Sequence, residues 1–545
     1  MFILLGVLIP LFAYAFICNL YVSPDGSGSE CSVTNPCQIQ TALDTAKTNG
    51  RDDVLCLKRG IYSIDTPLRY DNDEAVPENF SITLLGETDI SGNPITVLRS
   101  TSSEKILKID LCLLSGDNCL IDVRGDVYLK NIRFEGATAE RALEVYLNRS
   151  GLILENVIFE NNNTPTKDGT VFIYSQNGDI SIKYSSFLNN VSRKGAVYIK
   201  NINGTTALEN ITLSLNTSTG NGGGGNIFTK NGEMYAVNSL ILQNRGNLCG
   251  GFLVETVNGN VTFTNNDILG NISSSNYGGL CIYADNDSPT VNIYNNIFWG
   301  NYSTGYGQDL YINNDNDANL TGCDVEVRNN FGSCDFDLGF PSTCFDIERA
   351  SLVVYSENVT DTSPGFVSYP ADLHLNADSI CINSGKTSAP HLPDKDRDGN
   401  RRVYGSSVDI GMYEYGSSPD AYTVEVIIEG EGTVYSSPSF INCGTVCRAD
   451  IPSSYSFVSL TARAYSGYIF DHWEGSCSIC GKMLTCTINL DSNKICRAYF
   501  VPVSGGGGGC TFFVSYSVAS SLSNLIFLIL IPASIFLKRF LFKGY

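Results

Sequence analysis

Apolar residues recur at a nearly fixed interval in the middle of the chain, each at the centre of a short β-like run. These anchors stand 28, 26, 28, 27 and 30 residues apart: Phe159, Phe187, Leu213, Ile241, Ile268 and Phe298. A period in this range is typical of repeat architectures. The runs alternate like strands and lack helical apolar spacing, as in Leu152–Phe159, Ile180–Phe187, Asn260–Ile268 and Thr290–Phe298. The pattern predicts that each unit is one coil of a parallel β-helix.

Three residues after every anchor stands an asparagine: Asn162, Asn190, Asn216, Asn244, Asn271 and Asn301. Stacked coils lie about 4.8 Å apart, and an amide has both a donor and an acceptor, so one column of amides can bond along the stack. Asparagine also tolerates the left-handed backbone of a sharp corner. The alternative is that asparagine is simply common in turns. Six repeats at one offset favour the column.

The N-terminal part predicts a helix that covers the open end of the stack. Ile39, Ala42, Leu43 and Ala46 have the i, i+3, i+4, i+7 spacing of an amphipathic helix. An uncovered end would expose a strand edge, so a capping helix is expected there. Residues 51–135 should form less regular first coils and residues 150–335 the regular ones, with Val327–Phe331 in the last.

The first residues predict an exported chain. Phe2–Ile17 is almost wholly apolar, so residues 1–18 are interpreted as a signal peptide with a small-x-small cleavage site at Ala13-Tyr14-Ala15. Lipidation of Cys18 is the alternative. Nineteen cysteines in an exported chain imply disulfides. The close pairs are Cys31/Cys37, Cys112/Cys119 and Cys443/Cys447.

Several motifs resemble a known class of β-helix. The Tyr21–Gly26 segment and Lys58–Tyr62 look like the start of pectin-lyase-like β-helix proteins. Asp372–Leu375, Ser379–Gly385, Asp396–Arg402 and Asp409–Glu414 resemble the closing segment of bacterial choice-of-anchor Q proteins, although Asn383 and Met412 depart from that pattern. The resemblance implies a right-handed parallel β-helix over residues 19–416, on the cell surface.

A second unit, residues 421–501, follows a linker at 417–420. Its short strands and Phe470–Gly475 resemble the divergent bacterial B-repeat modules, which are small extracellular β modules. Its six cysteines admit two interpretations. A four-thiolate zinc site is one, and disulfides are the favoured one in an oxidising compartment; the cysteines are Cys443, Cys447, Cys477, Cys480, Cys486 and Cys496.

The C-terminal end predicts a membrane anchor. Residues 502–510 form a Gly-rich linker that ends in Gly508, Gly509 and Cys510, and 511–537 is uncharged and long enough to span a bilayer. The basic tail 538–545 should face the cytoplasm. The pattern resembles bacterial sorting signals that an intramembrane protease cuts near Cys510. A plain transmembrane anchor is the alternative.

Charge and motif composition narrow the function. The chain has a net charge of −21 and no stripe of basic residues that could neutralise phosphates, which excludes nucleic-acid binding. Asp394, Asp396 and Asp398 have the spacing of a calcium loop but no glutamate at its last position. The alternative is an acidic turn balanced by Arg401 and Arg402.

Catalysis is not predicted from any motif. Acids cluster at Asp285/Asp287 and Asp315/Asp317, in stretches that look like solvated loops without an adjacent Arg or Lys. The sequence therefore favours a structural, adhesive or carbohydrate-binding protein of the membrane or cell surface. The alternative is a polysaccharide lyase or glycoside hydrolase on the same β-helix.

Overall fold

The structure is a computed structural model that describes residues 16–71, 79–116, 118–121, 123–285, 289–305, 308–314, 324–328, 331–332, 345–348, 352–356, 358–360, 363–418, 421–453 and 455–503. The chain divides near Tyr422 into two compact units. The first unit is a right-handed parallel β-helix and the second is a small β module.

Each regular coil of the β-helix contributes one strand to each of three long parallel sheets, named A, B and C in the order in which the chain visits them. Sheet A has 12 strands: Leu20–Val22, Asp53–Leu57, Ile82–Leu85, Val127–Lys130, Leu152–Glu155, Ile180–Lys183, Thr206–Glu209, Met234–Val237, Val261–Thr264, Thr290–Tyr294, Asp324–Arg328 and Leu352–Ser356. Sheet B has 11: Gly60–Ile64, Thr96–Ser100, Ile132–Glu135, Ile158–Glu160, Ser186–Leu188, Thr212–Ser214, Leu240–Leu242, Asp267–Leu269, Ile297–Trp299, Phe331–Gly332 and Val359–Thr360. Sheet C has 10: Leu68–Asp71, Leu107–Asp110, Leu143–Leu147, Val171–Ser175, Val197–Asn201, Gly225–Lys230, Phe252–Val257, Leu280–Asp285, Leu310–Asn314 and Phe345–Glu348.

A fourth, narrow strip, sheet D, fills the corner between sheets B and C. Its six two-residue strands are Asn163–Thr164, Val191–Ser192, Thr217–Ser218, Arg245–Gly246, Ile272–Ser273 and Tyr302–Ser303. Two antiparallel hairpins complete the unit: Leu114–Ser115 with Asn118–Cys119, and Phe366–Ser368 with Asp372–Leu375.

The helix that the apolar spacing predicts is present at Ile39–Ala46 and buries Ile39, Ala42, Leu43 and Ala46. It contacts Leu20–Val22 and Leu68–Asp71, which are the first strands of sheets A and C. The apolar face therefore packs at the N-terminal end of both sheets.

Each predicted β run is divided between two sheets. Each run, such as Leu152–Phe159, contains two strands that belong to sheets A and B. A residue in the left-handed conformation separates them and turns the corner, with φ between 50° and 56° at Asn156, Tyr184, Asn210, Asn238, Asn265 and Asn295. Alternation alone cannot show this break, because both strands point their apolar residues into the core.

The predicted asparagine column is confirmed. In each of its five links, Nδ2 donates to Oδ1 of the next asparagine at 2.9–3.0 Å, and that Oδ1 also accepts the backbone N–H of the donor residue at 2.9–3.2 Å. The second amide N–H donates to the anchor carbonyl of the coil before, as Asn244 does to Leu213 at 2.8 Å. The left-handed residue is one position earlier, for example Gln243. Hydrogen bonding, and not backbone shape, therefore fits asparagine to this column.

The stack extends beyond the coil expected to be last. After Val327–Phe331, sheet A gains Leu352–Ser356 and sheet B gains Val359–Thr360. Their pattern is less regular than that of the central coils, so the sequence period did not reveal them.

Residues 363–416, the closing segment, fold back along the outer face of sheet B. That face is apolar at Leu242, Leu269 and Ile297, and these side chains pack against a set from the closing segment: Leu373, Leu375, Cys381, Ile410 and Met412. The closing segment also bonds to the corner between sheets A and B, where Asn265 Nδ2 donates to the carbonyls of Asp409 and Gly411 at 2.9 and 2.8 Å.

Two arginines, the partly buried Arg397 and the buried Arg402, join the closing segment to the coils. Arg397 donates to the carbonyls of Ile211 and Asn238 at 3.0 and 2.8 Å. Arg402, 1% exposed, donates to the Met412 carbonyl at 2.7 Å and to Asn238 Oδ1, and lies 4.0 Å from the buried Glu414 carboxylate. Arg402 and Glu414 are taken out of water together, so the hydrogen bonds of Arg402 and its proximity to Glu414 offset part of the desolvation cost.

The second unit is built from two four-stranded sheets. One contains Arg448–Pro452, Ala421–Glu429, Lys494–Pro502 and Tyr468–Gly475, and the other Asn442–Cys443, Gly432–Ser437, Phe457–Ala464 and Thr485–Asn489. A 3-10 turn spans Ser478–Cys480. Trp473 is buried and its Nε1–H donates to the Met483 carbonyl at 2.8 Å.

All three predicted close disulfide pairs are confirmed: Cys31–Cys37, Cys112–Cys119 and Cys443–Cys447. The module also contains Cys477–Cys496 and Cys480–Cys486, so its six cysteines form three disulfides. Cys18, assigned to the leader, is bonded to Cys56. A sulfur in that disulfide cannot carry a lipid, and Cys18 belongs to the folded unit.

No helix within the described ranges is long and apolar enough to cross a membrane. Residues 511–537, where the transmembrane helix was predicted, and most of the predicted signal peptide lie outside those ranges.

The buried column leads to the first prediction. Asn244→Ala should destabilise the protein by about 1–3 kcal/mol, because it leaves the side-chain amide and backbone N–H of Asn216 and the carbonyl of Leu213 without their partners. Asn203→Ala is the matched control: the Asn203 amide also donates to an amide of a neighbouring coil, that of Asn177, but Asn203 is exposed, so water can replace the bond. Its cost should stay under about 0.5 kcal/mol. Equal shifts of the two variants in denaturant unfolding would contradict the assignment.

Candidate functional site

The outer face of sheet C carries two rows of side chains that run along the β-helix. Strand register places one outward residue of each coil beside the next. The first row is Glu144, Phe172, Tyr198, Asn226, Leu253, Cys281 and Tyr311, and the second is Tyr146, Tyr174, Lys200, Phe228, Glu255 and Tyr283. Both rows are rich in aromatic residues.

Cations lie over several of these rings. Arg141 is 4.6 Å from the Phe172 ring centre and Lys194 is 4.6 Å from that of Tyr198. The Lys200 ammonium lies 5.8 Å from the rings of both Tyr174 and Phe228. Such contacts hold the aromatic side chains in place. Tyr174 is buried, whereas Phe172, Tyr198 and Phe228 are partly exposed.

A groove of about 300 Å³ opens on this face between the coils that contain Phe228, Glu255 and Tyr283. Its floor and rim also include Leu253, Asp285 and, from the loop before sheet C, Leu248. Phe228, Glu255 and Tyr283 occupy successive positions of the second row. The groove therefore combines two aromatic faces with two carboxylates.

A disulfide positions one wall of the groove. Cys249 is bonded to Cys281 of the next coil, and Leu248 packs with Leu253 and Tyr277 in the same apolar cluster. The loop can approach this closely because it contains glycine: a Cβ on Gly251 would lie 2.5 Å from the Gly279 carbonyl oxygen. The wall is thus covalently fixed to the strand that it overhangs.

The two carboxylates of the groove sit on adjacent strands. Glu255 pairs in register with Tyr283, and Asp285 lies two residues further along that second strand. Burial raises the pKa of Glu255, and the nearby Lys194 charge only partly opposes this. The groove thus contains a carboxyl group that retains its proton to a higher pH than an exposed glutamate does.

A second cavity, of about 420 Å³, lies beside the start of the helix and is lined by Gln38, Tyr62 and Asp65 among others. The Tyr62 hydroxyl donates within the protein, with the carbonyls of Val22 and Lys58 at 3.1 and 2.9 Å. This cavity is larger, but aromatic faces and paired carboxylates occur in the sheet C groove, which is therefore the better candidate.

The predicted calcium residues are engaged elsewhere. Asp396 Oδ1 accepts the backbone N–H groups of Asp398 and Asn400, and Oδ2 accepts that of Glu414. Asp398 lies 2.7 Å from His374 Nε2. In the described part of the chain, no three His, Cys, Asp or Glu side chains converge as a metal site. Calcium binding by Asp394, Asp396 and Asp398 stays a prediction.

The acidic clusters are only partly described. Asp285 ends a strand of sheet C and is half-buried in the groove, so its interpretation as a loop residue is wrong. Asp287, Asp315 and Asp317 lie outside the described residues, as do Gly508, Gly509 and Cys510. The alternative of a zinc site in the module is wrong, because its four proposed ligands, Cys443, Cys447, Cys477 and Cys480, are all in disulfides and have no free thiolate.

The sequence did not single out Glu255 or the aromatic rows. One signal was present: Phe228, Glu255 and Tyr283 each follow an inward apolar residue at the same point of three successive units. Aligning the units on sheet C, and not on the asparagine column alone, would have placed them side by side.

No protein-family model matches the chain, and no curated protein matches it. Among solved structures, pectate lyase Pel9A has a TM-score of 0.34 and 15% identity, over 72% of this chain and 96% of that one. The PL6 family alginate lyase AlyGC has a TM-score of 0.32 and 12% identity, over 76% and 61%. Tailspike protein 2 from Escherichia coli O157:H7 bacteriophage CAB120 has a TM-score of 0.26 and 12% identity, over 86% and 68%. At these scores nothing about activity follows.

The environment of Glu255 leads to a pH prediction. Its folded pKa is raised, so the stability it contributes is present below the unfolded pKa of about 4.3 and is lost as the pH rises through the folded pKa. Glu255→Gln should therefore unfold at a higher temperature than wild type at pH 8, and the difference should disappear at about pH 4. The exposed Glu104→Gln is the control and should show no such difference. A Glu255→Gln that melts below wild type at pH 8 would contradict the assignment.

Proposed function

We propose that the chain is an exported, membrane-tethered surface protein whose β-helix binds a polysaccharide in the sheet C groove. The observation that carries the proposal is the row Phe228, Glu255 and Tyr283, in which two aromatic side chains flank a carboxyl group along an open groove. Grooves with apolar walls and a few fixed polar groups are the usual form of ligand sites.

The chemistry of the groove favours a neutral glycan. A sugar ring has an apolar face that can lie on an aromatic ring, and hydroxyl groups that donate to carboxylates. Glu255 and Asp285 would repel a polyuronate, because like charges at close range are costly. The groove also follows the direction in which coils stack, so an extended chain can cross several coils.

Export and tethering are supported by the sequence. The disulfides indicate an oxidising compartment, and the uncharged stretch 511–537 followed by Lys538 and Arg539 has the form of a membrane anchor. The resemblance of the closing segment to choice-of-anchor Q proteins agrees with a surface location. In this proposal the helix Ile39–Ala46 serves as the N-terminal cap of the β-helix.

Glycan binding is testable with the full chain on a panel of neutral and acidic polysaccharides. Phe228→Ala and Tyr283→Ala should each weaken binding of the retained glycan by about tenfold, since each removes an aromatic face whose burial against the sugar contributes on the order of 1–2 kcal/mol. Tyr302→Ala is the control, because Tyr302 is a 43% exposed tyrosine on sheet D, outside the groove. Equal loss in all three variants, or no retention of any neutral glycan, would refute the proposal.

Hydrolysis is the second candidate, and the presence of Glu255 and Asp285 in one groove favours it. A carboxyl group with a raised pKa can act as general acid while a second carboxylate acts as base or nucleophile. If the chain is a hydrolase, wild type should release new reducing ends from the bound glycan, and Glu255→Gln should lower the rate by about 100-fold or more while binding persists. If wild type binds the glycan but releases no new reducing ends, hydrolysis is refuted and the binding function remains.

A further inference from the structure

Exposed apolar side chains cluster at one end of the module. Tyr465, Ile469, Val501 and Val503 are 50%, 53%, 37% and 56% exposed. Val501 and Val503 lie at and just after the end of the last strand, Lys494–Pro502. Ile469 lies near the start of its antiparallel partner, Tyr468–Gly475, and Tyr465 lies in the turn before that partner. Clustered exposure of this kind usually marks a surface that meets something apolar.

Hydrogen bonds hold these residues together. Ile469 faces Val501 across the ladder, and the Val503 N–H donates to the Gly467 carbonyl at 2.9 Å. The Tyr465 carbonyl accepts the Tyr468 N–H at 3.1 Å, and Tyr468 pairs with Pro502 in the ladder. These contacts place the four residues at the same end of the two strands, named here the exit end.

Polarity changes along the same face away from the exit end. The next outward pair is His472 stacked on Tyr499, with ring centres 4.6 Å apart. The pair after it is Glu474 opposite Arg497. Along one strand, the residues of this face therefore change from apolar at the exit end to charged further away. A similar change is found in elements that pass from an apolar medium into water.

The chain leaves the module at this end. After Val503 come Ser504, five glycines and Cys510, and then 27 uncharged residues from Thr511 to Leu537. Seven residues can span at most about 25 Å, so the length of the chain keeps the exit end within that distance of Thr511.

We propose that the exit end lies on the surface of the lipid bilayer that holds residues 511–537, with Tyr465, Ile469, Val501 and Val503 in its interfacial region. The inference rests on the tethering part of the proposed function. Tyrosine is enriched at this depth, and a shallow apolar surface can enter the boundary between headgroups and acyl chains by several ångströms.

The opposite end of the strand supplies a matched control. Ile479 is 85% exposed and lies in the turn that Cys477–Cys496 ties to the start of the last strand. Six residues separate Cys496 from Pro502, a distance of roughly 20 Å along a strand. Ile479 should therefore stay in water while the exit end is at the bilayer.

The experiment uses the full chain in liposomes whose lipids have brominated acyl chains, which quench nearby tryptophan emission. Tyr465→Trp and Val503→Trp place a probe at the exit end and Ile479→Trp places it at the control site, over the background of the two native tryptophans. The added emission at 465 and 503 should fall at least about twofold relative to unbrominated liposomes, and that at 479 should not change.

The outcomes separate the two claims. If the protein floats with the liposomes but the probes at 465 and 503 are no more quenched than the probe at 479, the interfacial placement is wrong and the tether stands. Chain that does not float with liposomes overturns the tether and the placement together. Two variants at the exit end guard against a single substitution that disturbs the fold.

Discussion

The constant spacing between coils is the constraint on which the β-helix depends. Backbone hydrogen bonds in sheets A, B and C set it, and the buried asparagine column can exist only because every coil keeps it. Each amide in the column bonds to an amide, a backbone N–H and an anchor carbonyl, so its polar atoms are satisfied inside the protein. A coil with a different path between strands would leave polar groups of both its neighbours without partners. This is why the loops differ between coils while an apolar anchor and its asparagine recur in each of these six units.

The sequence predicts what is local or periodic. The amide column, the helix at Ile39–Ala46 and the close pair Cys443–Cys447 follow from spacing, and the structure contains all three. Contacts between distant residues could not be predicted in this way. Arg397 reaches Ile211 across 186 positions, and no periodicity encodes that. One clue was available, since Leu240–Leu242 is apolar on both faces and such strands are covered on both sides.

The candidate site shows the same division. Asp285 was visible as an acid but was assigned to a loop, because its place at the end of a strand depends on the register of the preceding coils. Glu255 is not part of a sequence motif. It becomes a candidate only because the stacking of coils places it between Phe228 and Tyr283. A groove built from three coils, with a wall fixed by Cys249–Cys281, is a property of the stack and not of any one repeat.

The closing segment affects how the β-helix would respond to a mechanical force applied through its C-terminal side. Tension that enters the chain from residue 422 onward reaches the closing segment before it reaches any coil. That segment crosses the coils sideways, and its bonds, such as those of Asn265 to Asp409 and of Arg397 to Asn238, are distributed over several coils. A pull is therefore shared among many bonds loaded in parallel, whereas peeling the last coil would break them one after another. A protein anchored at one end and holding a ligand at its side would gain resistance to shear from this arrangement.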